Sequence, residues 1–350
     1  MKNKILSSIV LLFASVNLFS QTFIPDDNFE QALIDAGYDT VLDNYVTTAN
    51  ISAVTTLNVR YKDILDLTGI EDFTSLIDLD CSNNPNLGNF DISNNLNLIQ
   101  LHTNYTNINS LDVSSNVLLD FLSCGGNSNL TSLNVSFNTS LVFLFFFETN
   151  ISSIDLSANT ALVWLDCNTT NLSSLDLSTN INLNRLYCQN TSLTSLDFSN
   201  NSMLAELYCI NNTDLSSLNL KNGNNTNITF FNATNNPNLT CIEVDDVAYS
   251  NANWPDKDII ASYSNDCDNL SISEAININF NLYPNPVKYQ FTIQLENNTE
   301  LKNVTIYNNL GQLVLTSKKY VIKTSSLTSG LYFIEIQTTK GKGSKKLIID

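Results

Sequence analysis

Side chains that could catalyse a reaction are few in this chain of 350 residues, which contains a single histidine, His102. A hydrolytic triad of serine, histidine and acid needs a histidine that contacts both partners, and no such motif surrounds His102. Phosphate-binding glycine loops and zinc-ligand spacings are also missing from the sequence. We therefore predict a protein that is not an enzyme and that binds no cofactor.

Carboxylates are abundant, since the chain holds 34 aspartates and glutamates. A glycosidase needs only two of them flanking one bond, so a glycan-degrading enzyme or its accessory subunit remains the alternative. Asp155, Asp176 and Asp197 recur at intervals of 21 residues. Two interpretations are open for these three: carboxylates that are solvated and bonded to their own turns, or oxygen ligands of a calcium ion.

The interval between these aspartates is the period of a repeat that organises most of the chain. The repeat is clearest over residues 162–180 and reads L-x-x-L-x-C-x-x-T-x-L-x-x-L-D-L-S-x-N. Its second leucine position recurs every 21 or 22 residues until a longer last step, at Leu57, Leu79, Leu101, Leu122, Leu144, Leu165, Leu186, Leu207 and Phe231. A leucine-based period of this length predicts a repeat solenoid of the leucine-rich class, with parallel β-strands and about nine coils.

Within each coil, the alternation L-x-C predicts a short strand that points every second side chain inward. The L-D-L-S segment predicts a second extended stretch. Asparagine or threonine at the two corners can bond backbone groups of its own coil and of the next, so we interpret both corner columns as structural ladders. The first column is Asn84, Thr106, Asn127, Thr149, Thr170, Thr191, Asn212 and Asn236, and the second is Asn95, Asn116, Asn138, Asn159, Asn180 and Asn201.

The seven cysteines fall into two groups. Five share the inward strand position, where a thiol acts as a small core residue, and in-register neighbours have poor geometry for a disulfide: Cys81, Cys124, Cys167, Cys188 and Cys209. Cys241 and Cys267 lie outside that column and bracket the end of the repeats, so they are a candidate disulfide in an exported protein.

Outward strand positions carry an unusual number of aromatic residues on adjacent coils. We call this set the aromatic face: Phe121, Phe143, Phe145, Phe147, Trp164, Tyr187 and Tyr208. Exposed clusters of this kind normally mark a contact surface. The other interpretations are that another part of the protein covers this face, or that the phenylalanine run is an irregular coil turned inward.

The two ends of the repeat array differ from its coils. Residues 1–20 combine Lys2 and Lys4 with a short apolar run, which is typical of a signal peptide. We expect no transmembrane span in the mature chain, because no later apolar stretch approaches the roughly 20 residues that one needs. Residues 21–53 contain a short helix capped by Asp26 or Asp27 and predict an N-terminal cap. The repeats occupy residues 54–244, and residues 245–270 predict a C-terminal cap.

A second domain is predicted over residues 271–350, where the charge changes sign. Residues 21–270 hold 29 acids and 5 bases, whereas residues 271–350 hold 5 acids and 9 bases. Alternating strands separated by glycine turns predict a small all-β sandwich there. The whole chain has a net charge of −18, which argues against nucleic acid or an anionic membrane as a partner.

Two resemblances add to these inferences. The first coil, with Leu57, Val59, Ile64, Leu67, Gly69 and Ile70, resembles the 22-residue repeat of internalin-type leucine-rich repeat proteins. The segments 283–286, 306–312, 327–332 and 345–348 resemble the sorting domain of proteins exported by type IX secretion. The second resemblance implies that residues 281–350 engage the type IX secretion machinery and that the protein crosses the outer membrane.

Together these features predict a secreted protein, or one attached to the outer surface of the outer membrane, that binds a protein or a glycan. The ligand itself cannot be read from the repeat motif, which is specific for the fold.

Overall fold

The computed structural model describes residues 20–267, 278–295, 299–339 and 341–350. The chain divides into two compact units, Met1–Cys267 and Asp268–Asp350. All but the last residue of the predicted signal peptide lies outside the described residues. No helix within the described ranges has the length and apolar character that a membrane crossing requires.

A parallel sheet of nine short strands runs along the first unit, one strand per coil, and confirms the predicted solenoid. Its strands are β3 (Thr56–Asn58), β4 (Asp78–Asp80), β5 (Gln100–His102), β6 (Phe121–Ser123), β7 (Phe143–Phe145), β8 (Trp164–Asp166), β9 (Arg185–Tyr187), β11 (Glu206–Tyr208) and β13 (Phe230–Asn232). The middle residue of each strand is the repeat leucine or its equivalent, and it is buried in the core. Adjacent strands pair in register, so equivalent residues of successive coils stack in columns.

Each coil leaves this sheet through a tight corner with a left-handed residue. The residues immediately before the first asparagine/threonine column have φ between +53° and +72°: Asn83, Tyr105, Gly126, Glu148, Thr169, Asn190, Asn211 and Asn235. The column residue then bonds the corner. Asn84 Nδ2, for example, donates to Cys81 O at 2.8 Å in its own coil and to Val59 O at 3.0 Å in the preceding coil.

The second asparagine column bonds the opposite corner to the preceding coil alone. Asn159 Nδ2 donates to Val135 O at 3.0 Å and to Asn138 O at 2.9 Å, both in the preceding coil. These corner asparagines are fully buried, as structural ladders require.

The second extended stretch forms strands only in the last coils. These strands are β10 (Ser195–Asp197), β12 (Ser217–Asn219), β14 (Cys241–Glu243) and β15 (Ser262–Ser264), which make a four-stranded parallel sheet. Earlier coils are joined on this side by single backbone bonds, such as Asn150 N to Leu130 O at 3.0 Å. A single bond per coil does not make a ladder. Of the two extended segments predicted for each coil, the second therefore forms a strand in the C-terminal coils alone.

The N-terminal end of the core is covered by an antiparallel pair, β1 (Gln21–Phe23) and β2 (Tyr45–Thr47), and two short helices, α1 (Asp27–Asp35) and α2 (Thr48–Ile51). Asp26 caps α1 by accepting from the backbone N–H groups of Asn28 and Phe29. Sequence reasoning missed Glu30, whose fully buried carboxylate accepts three backbone N–H bonds, from Asp43, Asn44 and Tyr45.

The C-terminal end is covered by helix α3 (Val247–Asn253) and by Trp254, whose ring stacks on Phe231 at 5.2 Å. Cys241 and Cys267 form a disulfide across this end, with their Cα atoms 5.9 Å apart. Strand β15 adds to the sheet beside β14, which brings the chain back to Cys241 before Cys267 is reached.

The second unit contains two antiparallel sheets. One is three-stranded, with β16 (Phe280–Tyr283), β17 (Gln290–Leu295) and β20 (Val321–Lys323); the other is four-stranded, with β18 (Leu301–Asn308), β19 (Leu313–Ser317), β21 (Gly330–Thr338) and β22 (Lys342–Ile349). Phe280, Phe291, Ile306 and Ile334 lie in its separate hydrophobic core. The unit is therefore all-β, as its alternating pattern predicts.

Candidate functional site

The aromatic face is assembled by the register of five neighbouring strands. Pairing of β6, β7 and β8 places Phe121, Phe143 and Trp164 in one column. Pairing of β7, β8, β9 and β11 places Phe145, Asp166, Tyr187 and Tyr208 in the next column. The inward residue between the two columns is a buried leucine in every strand, so the core holds these rings on a regular sheet.

Six of the seven rings of the face, all except Phe147, contact one another in an unbroken series. Phe145 meets Phe121 at 5.4 Å and Trp164 at 5.0 Å between ring centroids, and both pairs are edge-to-face. Tyr187 then meets Trp164 at 5.5 Å and Tyr208 at 5.0 Å, again edge-to-face. Edge-to-face pairs are favoured by the ring quadrupoles, so the face is internally stabilised.

All seven side chains of the aromatic face are half-buried, because each ring covers part of its neighbours. The coil that carries the phenylalanine run is regular, and its inward position is filled by the fully buried Phe146. The run is therefore not an irregular coil turned inward. Ser123, which pairs with Phe145 in the second outward column, is nevertheless buried, and its Oγ donates to Asn104 Oδ1 at 2.6 Å.

Phe147 lies beyond the end of β7 and contacts Tyr105, with ring centroids 6.0 Å apart. Two adjacent glycines make room for this pair. A Cβ atom at Gly125 would lie 2.6 Å from the Phe147 ring, and one at Gly126 would lie 2.2 Å from the Tyr105 ring. Sequence reasoning missed both Tyr105 and the glycines, although two glycines after a cysteine-position residue are found in this coil alone among the repeats.

A charged network crosses the centre of the face. The Arg185 guanidinium lies 4.8 Å above the centroid of the Trp164 ring, and its Nε is 3.2 Å from Glu206 Oε1. The Tyr187 hydroxyl donates to Glu206 Oε2 at 2.8 Å. Burial, together with this bond to a carboxylate, raises the pKa of Tyr187 to about 12, so its phenol is neutral and donates.

Asp166 lies in the same column, between Phe145 and Tyr187. It accepts a hydrogen bond from Asn168 N at 3.1 Å. Burial raises the pKa of Asp166 to about 6, and the nearby carboxylate of Glu148 adds to the rise. The face thus contains a partly desolvated acid beside a second acid, a feature that the repeat pattern did not reveal.

His102 continues the ring series beyond Phe121, with its ring centroid 4.5 Å away. It acts here as a planar side chain that extends the aromatic surface. This placement gives His102 a packing partner in Phe121.

The five column cysteines are free thiols and are buried. Burial raises the pKa of Cys124 and of Cys209 to about 12, so both are protonated and unreactive.

The aspartates of the L-D-L-S segments bond their own turns. Asp155, Asp176 and Asp197 each accept, through Oδ1, the backbone N–H of the serine two residues later at 2.9 Å. Hydrogen bonds from the same serines lower the pKa of Asp155 and of Asp176. Within the described residues, no group of three or more acidic, histidine or cysteine side chains is arranged to hold a metal ion.

A comparison with protein families matches the second unit. Residues 281–350 match the family described as the secretion system C-terminal sorting domain. Among curated proteins, none matches this sequence.

Solved structures of Listeria monocytogenes proteins overlap the chain loosely. The functional domain of InlJ, which includes a cysteine ladder, is 18% identical, covers 95% of this chain over 99% of its own, and gives a TM-score of 0.34. InlP is 18% identical to this chain. The match covers 93% of this chain and 97% of InlP, with a TM-score of 0.45. Internalin C2 is 18% identical to this chain. The match covers 69% of this chain and 95% of internalin C2, with a TM-score of 0.41.

Overlaps at this level are likenesses only, so the assignment of the first unit rests on its own coils. The chain is a leucine-rich repeat solenoid that carries a secretion system C-terminal sorting domain at residues 281–350.

Proposed function

We propose that the protein binds a protein or glycan ligand at the cell surface through the aromatic face and catalyses no reaction. The observation that carries this proposal is the continuous series of ring contacts on the outer side of a sheet whose inner side is the core. Rings held rigidly by their own strands lose little conformational freedom when a ligand binds, which favours affinity.

Export by type IX secretion completes the proposal. The match of residues 281–350 to a sorting domain supports recognition by that machinery, followed by release or by attachment to the outer surface of the outer membrane. In this assignment residues 1–20 are a signal peptide, residues 21–53 and 245–270 are caps, and the second domain begins at residue 271.

The binding surface is tested by replacing two of its rings. The purified full chain is screened against a glycan array and in a pull-down of cell-surface proteins. Each ligand found is then tested for binding to the variant Trp164→Ala plus Tyr187→Ala. We expect the variant to lose binding and to lose only about 1–2 kcal/mol of stability, since these rings are half-buried. Ligand capture by the variant at the level of the unmodified protein would contradict the proposal.

A matched control lies one residue from Trp164. Leu165 is fully buried in the core, so Leu165→Ala should cost roughly 2–5 kcal/mol through the cavity it leaves. Below its lowered melting temperature the control should still bind, which separates loss of contact from loss of fold.

Glycan cleavage is a second candidate function, favoured by one observation. Asp166, with its raised pKa, and the neighbouring Glu148 form a pair of carboxylates beside aromatic rings, and such a pair is the machinery of a glycosidase. Incubation with polysaccharides that the array identifies, followed by measurement of new reducing ends, tests it. Release of reducing ends that Asp166→Asn abolishes would establish cleavage, and intact polysaccharide would exclude it for those substrates.

A further inference from the structure

The aromatic face is also acidic. Four carboxylates lie on its five strands or close to their ends, against one cation: the carboxylates are Asp120, Glu148, Asp166 and Glu206, and the cation is Arg185. This cation is already paired with Glu206, at 3.2 Å. The remaining carboxylates give the face an excess of negative charge beside the rings.

Arg185 shows how this surface holds a cation. Its guanidinium stacks over the Trp164 ring at 4.8 Å and simultaneously pairs with the carboxylate of Glu206. A planar guanidinium suits both contacts, because it stacks on a ring face while its edge donates to oxygen. The face therefore already contains one complete site for an arginine, filled from within the chain.

A carboxylate that is not paired with an arginine lies one column away. Asp166 is paired in register with Phe145 on one adjacent strand and with Tyr187 on the other. The Trp164 ring, two residues away on the same face, contacts both of these rings, at 5.0 and 5.5 Å between centroids. Glu148 is near enough to interact with Asp166 electrostatically. Within the described ranges, neither carboxylate has an ion pair with a lysine or arginine. Leaving a partly desolvated carboxylate without a cation is unfavourable, and a ligand cation would offset that cost.

We propose that the ligand is a protein that presents an arginine-bearing, positively charged segment on the aromatic face, with a guanidinium held by Asp166 and Glu148. The inference rests on the proposed function and narrows it to one class of partner. The electrostatic field supports the choice, since a net charge of −18 attracts a cationic segment and repels nucleic acid or an acidic glycan. A neutral glycan would use the rings and leave the two carboxylates uncompensated.

The test uses the full chain and two synthetic probes. One is a short glycine–serine peptide with spaced arginines, and the other carries citrulline at the same positions, which keeps the shape and removes the charge. Fluorescence polarisation should show binding of the arginine peptide alone, weakening as salt is raised. Glu148→Gln with Asp166→Asn should weaken this binding by about tenfold or more.

A matched control removes two charges elsewhere. Asp155→Asn with Asp176→Asn changes the net charge equally on the exposed L-D-L-S column and should leave the affinity unchanged. Equal binding of the citrulline peptide, no binding of either peptide, or an equal loss in the control variant would overturn the inference.

The outcomes also separate this inference from the proposed function. A ligand from the screen that needs Trp164 and Tyr187 but tolerates the Glu148 and Asp166 replacements would overturn the cationic partner and leave the binding face intact. A ligand that ignores all four replacements would overturn the proposed function itself.

Discussion

Gly125 sets how closely the Phe147 ring approaches the backbone of the preceding coil. A methyl group at Gly125 would lie 2.6 Å from that ring, which is too close for any real contact. Gly125→Ala should therefore displace Phe147, weaken capture of the ligand that Trp164→Ala with Tyr187→Ala abolishes, and cost about 1 kcal/mol of stability. Gly88→Ala is the control, because a Cβ there meets open space and should change neither property.

Asp166 is the residue whose charge opposes folding. Its pKa is about 6 in the fold against an ordinary 3.8, so protonation of Asp166 favours the folded state. The stability that protonated Asp166 contributes is fully present below pH 3.8, and it is lost as the pH rises through about 6. Asp166→Asn should raise the free energy of unfolding at pH 7 by about 1 kcal/mol, with solvent contact limiting the gain.

The pH dependence distinguishes this charge effect from a packing effect. The free energy of unfolding of Asp166→Asn should exceed that of the unmodified protein by less as the pH is lowered from 7 to 4. Urea unfolding at each pH measures this difference. An advantage that is the same at both values would contradict the assignment. The expected gain fits a residue kept for binding at a cost in stability.

At the scale of the coil, the left-handed corners set the local strain. Thr169 has φ +56°, and a β-branched residue is rarely found there, whereas Asn190 and Asn211 occupy the same place in the next coils. Thr169→Asn should stabilise the protein by roughly 0.5–1 kcal/mol, because asparagine tolerates this conformation and offers Asn190 Nδ2 a better acceptor than the present Thr169 Oγ1 at 3.4 Å.

The reverse replacement is the control for this corner effect. Asn190→Thr should destabilise by a similar amount, and it also removes the bond from Asn211 Nδ2 to Asn190 Oδ1 at 3.0 Å. Thermal unfolding of the two variants measures both changes. Shifts of the same sign in both would show that backbone conformation does not determine the stability of these corners.

The aspartate column of the L-D-L-S segments is tested by calcium. Because Asp155, Asp176 and Asp197 bond their own serine turns, we expect the same melting temperature in millimolar calcium and in chelator. A rise in calcium that Asp176→Asn removes would instead establish a metal site at these carboxylates.

At the scale of the whole molecule, the two units have separate hydrophobic cores. Deletion of residues 281–350 should therefore leave a folded solenoid with an unchanged melting transition. If these residues are the export signal, the truncated protein should remain in the periplasm, which fractionation of the native host measures. Delivery of the truncated protein to the cell surface would contradict the role in export.

The fold of both units can be predicted from the residues alone, because the physics of a repeat is local. A leucine every 21 or 22 residues requires an inward strand position in each coil, and the asparagines of residues 95–201 predict a buried corner that bonds a neighbouring coil, which is the preceding one. The alternating pattern likewise determined that the second unit is all-β. The same period predicts which residues point outward, and therefore which rings lie on adjacent coils.

The contacts among the outward side chains cannot be predicted in this way and are seen in the folded protein alone. Three contacts illustrate this: the burial of Ser123, the Phe147 ring against Gly125, and Arg185 over Trp164. Each depends on side chains that are about one coil apart in sequence and adjacent in space. The same holds for Asp166, whose raised pKa arises from burial by neighbouring coils and from Glu148. A repeat motif specifies which residues face outward, but the contacts among outward residues depend on the identity of each neighbour, which the motif leaves free.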